Sequence, residues 1–278
     1  LNFLRSECVK KGQLTPHYHY VSRPPFTEAE AVRRAIYLAG QTDTPLYIAH
    51  MTCREAIAEL QKAKGTGQRV SGETCTHYLT TTKEALDNPD FNEAAKFVCS
   101  PALRDQEDCE ALWQALAGGL LTAVSSDHCG IDVAELKQAG RDDFTQIPNG
   151  SPGAGDRLHM VWTEGVCTGK LSRQKFVDVI ATQPAKINGI YPRKGTLAVG
   201  SDADIVIFDP RYEGVIRLAD NPNGVDYNLY EGRRQSGRVE TVLLRGQVVV
   251  ENAKFVGRYG QGQFIPASMY ASGYENRN

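Results

Sequence analysis

Pro45-Leu46-Tyr47-Ile48-Ala49-His50 is a short, nearly continuous apolar run. Such a run marks a strand buried on both faces of a parallel sheet. Helical patterns flank it. Upstream, Thr27-Glu28-Ala29-Glu30 reads as a capping box, with Val32, Ala35, Ile36 and Ala39 following at helical spacing. Downstream, Thr52-Cys53-Arg54-Glu55 reads as a second box, with Ala56, Ile57 and Leu60 on the apolar side. Residues 69–75 read as the next strand, and 96–100 as a brief extended piece. A helix is predicted near 105–117, with Leu112, Trp113 and Leu116 inward and Gly118-Gly119 ending it. Residues 120–126 then form a buried strand that delivers Asp127-His128. Strands alternating with helices at this spacing mean βα units and a parallel sheet.

After about residue 190 the character changes. Asp204-Ile205-Val206-Ile207-Phe208-Asp209 and Val239-Glu240-Thr241-Val242-Leu243-Leu244 are β-branched runs set off by Gly and Asp turns, without long helices between them. They predict a small antiparallel β region. Three parts follow: an α/β portion over 1–190, a β portion over 191–256, and a tail over 257–278 that reads as an arm.

Composition narrows the function. The chain has 278 residues, 31 Lys plus Arg against 33 Asp plus Glu, and a net charge of −2. Nucleic acid or an anionic membrane surface is a poor partner for so balanced a charge. No apolar run approaches the length of a membrane span. Seven scattered cysteines with no C-x-x-C pair argue against a disulfide framework and suit a reducing cytoplasm. The chain opens at Leu1 without a Met or a charged-then-apolar leader, and is expected to be a fragment.

Two residues stand where chemistry is built. His50 and Asp127 end two predicted buried strands, and the carboxyl ends of parallel strands share one face. An imidazole and a carboxylate converging there are metal ligands or an acid/base pair. His17-Tyr18-His19 has metal-type spacing, but Pro16 and Ser22-Arg23-Pro24-Pro25 frame it as a loop, so ligation is not expected. His77 is assigned to packing. Ser100 before Pro101, and Asn149 in Ile147-Pro148-Asn149-Gly150, are turn residues whose backbone groups could meet an amide-like substrate. Arg193-Lys194 and Arg233-Arg234 read as solvated.

These residues sit within a longer pattern. Tyr47-Ile48-Ala49-His50, Gly72-Glu73-Thr74-Cys75, Cys99-Ser100-Pro101-Ala102-Leu103-Arg104, Ser126-Asp127-His128-Cys129, Phe144-Thr145-Gln146-Ile147-Pro148-Asn149-Gly150 and Gly200-Ser201-Asp202-Ala203-Asp204 occur in that order. The whole chain resembles the carboxyl-terminal part of the D-hydantoinase and dihydropyrimidinase family of cyclic amidohydrolases. The resemblance implies a partial (β/α)8 barrel, strands 6 to 8 with their helices, over 1–190. It implies the carboxyl-terminal part of a small β-sandwich over 191–256, and a tail that touches another subunit of a tetramer or dimer. It also implies two divalent metal ions, zinc in most members, bridged by a carboxylated lysine. His50 would be the strand-6 ligand and Asp127 the strand-8 ligand and proton shuttle, with Ser100 and Asn149 binding the ring amide. The product would be an N-carbamoyl amino acid.

The amino-terminal H-x-H, the lysine and the strand-5 histidine of that family have no counterparts here, so the chain alone is expected to be inactive. Allantoinase or dihydroorotase chemistry is the nearest alternative. A non-catalytic scaffold resembling the collapsin response mediator proteins is the other, and retention of His50 and Asp127 weighs against it.

Overall fold

β1 (Leu46–Ile48), β2 (Val70–Cys75) and β3 (Ala123–Ser125) pair in parallel in the order β1-β2-β3. Ile48 lies opposite Gly72, and Cys75 opposite Ser125. This is the sheet the alternating pattern predicts. The computed structural model describes residues 1–268, in two compact units. The first comprises 1–157 with 216–233, the second 158–215 with the chain from 234 onward.

In the first unit, α1 (Asn2–Lys10), α2 (His17–Val21) and α3 (Pro25–Gln41) precede β1. α4 (Arg54–Gly65) links β1 to β2, while α5 (Thr76–Thr80), α6 (Phe91–Ala95) and α7 (Gln106–Ala117) lie between β2 and β3. Parallel neighbours require such crossovers. The predicted inward residues are inward: Ala56, Ile57 and Leu60 on α4, and Leu112, Trp113 and Leu116 on α7, are all buried. Each large apolar side chain so buried contributes about 2 kcal/mol.

Several local expectations fail. β1 is half-buried rather than covered on both faces, because it is the edge strand of its sheet among the described residues. Neither capping box forms. α3 starts at Pro25, whose missing N–H suits a first helical position, and the Thr27 hydroxyl donates to the Pro24 carbonyl (2.8 Å). α4 has Cys53 at its N-cap. Thr52 stands one position too early, and its backbone N–H donates to Glu28 (2.7 Å), as does its hydroxyl. The same Glu28 carboxylate pairs with the buried Arg104 (3.1 Å). A tertiary carboxylate has displaced the local caps. Residues 96–100 join no strand; Phe97 and Val98 instead donate back to Ala94 and Ala95, prolonging the turn after α6. His17-Tyr18-His19, read as loop, is the body of α2.

In the second unit, β4 (Ile205–Val215), β5 (Arg234–Leu244), β6 (Gln247–Glu251) and β7 (Lys254–Phe255) form one antiparallel sheet in that order. The predicted antiparallel region is therefore present. Helical turns between 158 and 187 pack on it. Trp162 lies 4.9 Å from Phe208 and 5.3 Å from Phe176, ring to ring, and the Thr163 hydroxyl accepts from Ser236 N (3.0 Å). The change in sequence character near residue 190 thus falls inside this unit. Lys194, expected to be solvated, is only 14% exposed and pairs with Asp202 (2.9 Å) and Asp204. From residue 257 to 268 the chain has no helix or strand. The remainder of the expected arm, with the subunit contact assigned to it, lies outside the described residues.

Candidate functional site

Three side chains stand at the same offset from three parallel strands. His50 is two residues beyond the end of β1, His77 two beyond β2, and Asp127 two beyond β3. Parallel strands place those ends on one edge of the sheet, where such folds build sites. His50 (φ 41°) and Asp127 (φ 44°) are both in the left-handed region. That conformation costs a non-glycine residue about 1–3 kcal/mol and is retained where the surroundings over-determine it. The Met51 N–H donates to the Glu73 carbonyl (2.8 Å), carrying the β1–β2 pairing past His50.

Asp127 is exposed, and its carboxylate converges with two buried groups. Ligand atoms of Cys75, His77 and Asp127 all lie within 4.8 Å of one another. His50 stands outside that group, although its charge helps hold the His77 pKa down. Burial is the larger cause, and together they push His77 to about 3. Sequence reasoning assigned His77 to packing. Its ring does pack on Tyr78 (4.1 Å), but its Nε2 is buried without a hydrogen-bond partner, as is Nδ1 of His50. The common strand-end offset was the signal that could have found it. Imidazoles with unpaired ring nitrogens near a carboxylate are a donor set that fits a divalent ion.

His50 and Ser100 both line a cavity of about 500 Å³, together with Tyr47, Ile48, Arg23 and Val32. Ser100 and Asn149 meet: the Ser100 hydroxyl donates to Asn149 Oδ1 (2.8 Å), and Asn149 Nδ2 donates to the Ile147 carbonyl (3.1 Å). The two turns are tied from below. Gly150 N donates to the Val98 carbonyl (3.0 Å), and the fully buried Lys137 ammonium donates to the Ala95 carbonyl (2.7 Å). The H-x-H pair is committed elsewhere. His17 Nδ1 lies 2.5 Å from the Asp87 carboxylate, and His19 Nε2 donates to the Cys99 carbonyl (2.7 Å). His128 Nδ1 accepts from Gly153 N (3.3 Å). Arg233, expected to be solvated, donates to the Thr80 carbonyl (2.9 Å).

A parallel α/β sheet thus brings imidazole and carboxylate groups together at its carboxyl edge. The chain belongs to the amidohydrolase family, whose family model matches residues 30–249; enzymes of that family generally use a divalent metal centre. It is similar to the D-hydantoinase of Ralstonia pickettii, 48% identical over 269 residues, covering 97% of this chain and 58% of that protein. The dihydropyrimidinase of Arabidopsis thaliana is 40% identical, covering 96% of this chain and 50% of that protein. Among solved structures, the dihydropyrimidinase from Brevibacillus agri NCHU1002 superposes with a TM-score of 0.95 at 44% identity, covering 97% of this chain and 58% of that one. The chain therefore spans 50–58% of the length of these relatives. No helix among the described residues is long and apolar enough to cross a membrane.

Proposed function

We propose that this chain is the carboxyl-terminal share of a cyclic amidohydrolase that opens hydantoins or dihydropyrimidines to N-carbamoyl amino acids. The observation that carries the reading is the placement of His50 and Asp127 at parallel strand ends, both in the left-handed conformation, in a chain 48% identical to a D-hydantoinase. Residues 1–190 would be strands 6 to 8 of a (β/α)8 barrel, 191–256 part of a β-sandwich, and 257–278 a contact to another subunit of a cytoplasmic tetramer or dimer.

His50 and Asp127 would hold metal, with zinc as the ion and a carboxylated lysine, absent from this chain, as the bridge. When bound, divalent ions lower the pKa of water and polarise the scissile carbonyl. Asp127 takes the proton of the attacking water and returns it to the departing amide nitrogen. Backbone groups at Ser100 and Asn149, whose side chains are joined by a hydrogen bond, orient the ring amide. Two ligands are too few to hold two catalytic ions, so ring opening requires ligands beyond these.

In the complete enzyme, His50→Ala should remove or weaken one metal and lower ring opening by orders of magnitude while the fold survives. His17→Ala should leave the metal content intact, because His17 is engaged with Asp87. Elemental analysis and loss of ring absorbance from dihydrouracil and hydantoin are the measurements. Full metal content with normal turnover in His50→Ala would overturn the assignment.

A further inference from the structure

We propose that Cys75, His77 and Asp127 form a thiolate-containing site for a divalent transition metal ion, on the β2 side of Asp127. It shares Asp127 with the reading above and otherwise stands apart from it. Cys75 ends β2 and His77 is the second residue of α5, so one strand-to-helix junction supplies a sulfur and a nitrogen two residues apart. Across the pair β2–β3, where Cys75 faces Ser125, the chain leaving β3 supplies the oxygen. The three ligand atoms lie within 4.8 Å of one another. Ligands of a tetrahedral zinc ion, each about 2.0–2.3 Å from the metal, stand about 3.3–3.8 Å apart, so binding draws the three groups together by up to about 1.5 Å.

Three further features support it. His77 is 3% exposed, yet its Nε2 has no hydrogen-bond partner; a buried polar atom of that kind calls for a ligand. The Ser125 hydroxyl lies 3.1 Å from Cys75 Sγ, and Thr76 Oγ1 donates to the Ser125 carbonyl (3.4 Å). The Ser125 hydroxyl orients the sulfur as outer groups do in metal sites, and the Thr76 bond ties the junction to β3. Asp127 is exposed while Cys75 and His77 are buried, so the carboxylate is the entrance. A sulfur–nitrogen–oxygen set with three protein ligands selects zinc, cobalt or cadmium over magnesium or calcium, which take oxygen ligands. On binding, the Cys75 S–H bond breaks as the sulfur–metal bond forms, and the proton leaves to buffer.

Cobalt is the probe, because only a thiolate ligand gives a sulfur-to-cobalt charge-transfer band in the near ultraviolet; oxygen and nitrogen ligands do not. The titration is run on the Cys129→Ser/Cys167→Ser protein, which removes the two exposed thiols. A saturable band is expected. It should be abolished by Cys75→Ser, and the cobalt dissociation constant should rise about tenfold or more in His77→Ala and Asp127→Asn. His50→Ala should leave the band in place. No band at saturating cobalt, a band that survives Cys75→Ser, or a band lost in His50→Ala would each overturn the proposal. Should Cys75→Ser not fold, the imidazole nitrogen resonances of His77 in the unmutated protein decide the matter: they shift on adding zinc if the site exists and stay fixed if it does not. These readouts are independent of ring opening: a complete enzyme that shows the thiolate band and opens no ring refutes the proposed activity and not this site, and one that opens rings without the band refutes this site alone.

Discussion

Acid should loosen the part of the molecule that carries Ser100, and His19 is the group through which it acts. His19 lies on α2, is 1% exposed, and stands 2.7 Å from the Cys99 carbonyl through Nε2. A carbonyl only accepts, so Nε2 carries the proton and Nδ1 is the acceptor. That Nδ1 is buried and unpaired. A second proton would enter a dry pocket where Arg23, Lys137 and Arg104 already bring positive charge. Burial first, then Arg23, pushes the His19 pKa down to about 3, against about 6.5 in the unfolded chain. The folded state therefore binds fewer protons than the unfolded state between those values. Stability from this residue is complete above pH 6.5 and falls as pH drops toward 3. At pH 5 the difference of about 1.5 pH units corresponds to about 2 kcal/mol. His19→Gln keeps an N–H for the Cys99 carbonyl and cannot titrate. Urea unfolding of both proteins at pH 7.5 and pH 5 should show the parent losing about 2 kcal/mol more than the variant. His77 is present in both and cancels. Parallel pH dependences would refute the assignment of His19 as a buried neutral imidazole.

Two substitutions probe the site and its frame. Asp127→Asn in the complete enzyme retains a weak oxygen ligand and no proton acceptor, so turnover should fall further than metal occupancy; equal losses by elemental analysis and assay would make Asp127 a ligand only. Arg104→Met should cost about 3–5 kcal/mol in urea unfolding, because it leaves the Glu28 carboxylate, 10% exposed, without its cation, and adding Glu28→Gln should recover part of that loss.

The parallel sheet was legible because β1 and β3 announce themselves locally, each as a short apolar run near apolar residues at helical spacing, whereas β2, Val70–Cys75, is mostly polar and was marked chiefly by its place between two helical patterns. Helix starts were not. Thr27-Glu28-Ala29-Glu30 and Thr52-Cys53-Arg54-Glu55 satisfy a local pattern, yet Thr52 and Glu28 bond to each other and to Arg104, residues far apart in the chain. Competition of that kind is invisible to any window of a few residues. α2 was hidden for a related reason. Proline on either side suggested a loop, whereas Pro16 and Pro24 are compatible with a short helix between them, since proline is tolerated where no N–H is needed. His50 and Asp127 could be read because a polar residue closing an apolar strand is conspicuous. His77 follows Glu73-Thr74-Cys75-Thr76, a strand end already polar, so nothing in its own neighbourhood set it apart. The offset it shares with His50 and Asp127, two residues past the strand in each case, becomes visible only when the three strands are laid side by side. Position along one strand end identifies a candidate; agreement of that position across parallel strands is what brings separate candidates to one edge.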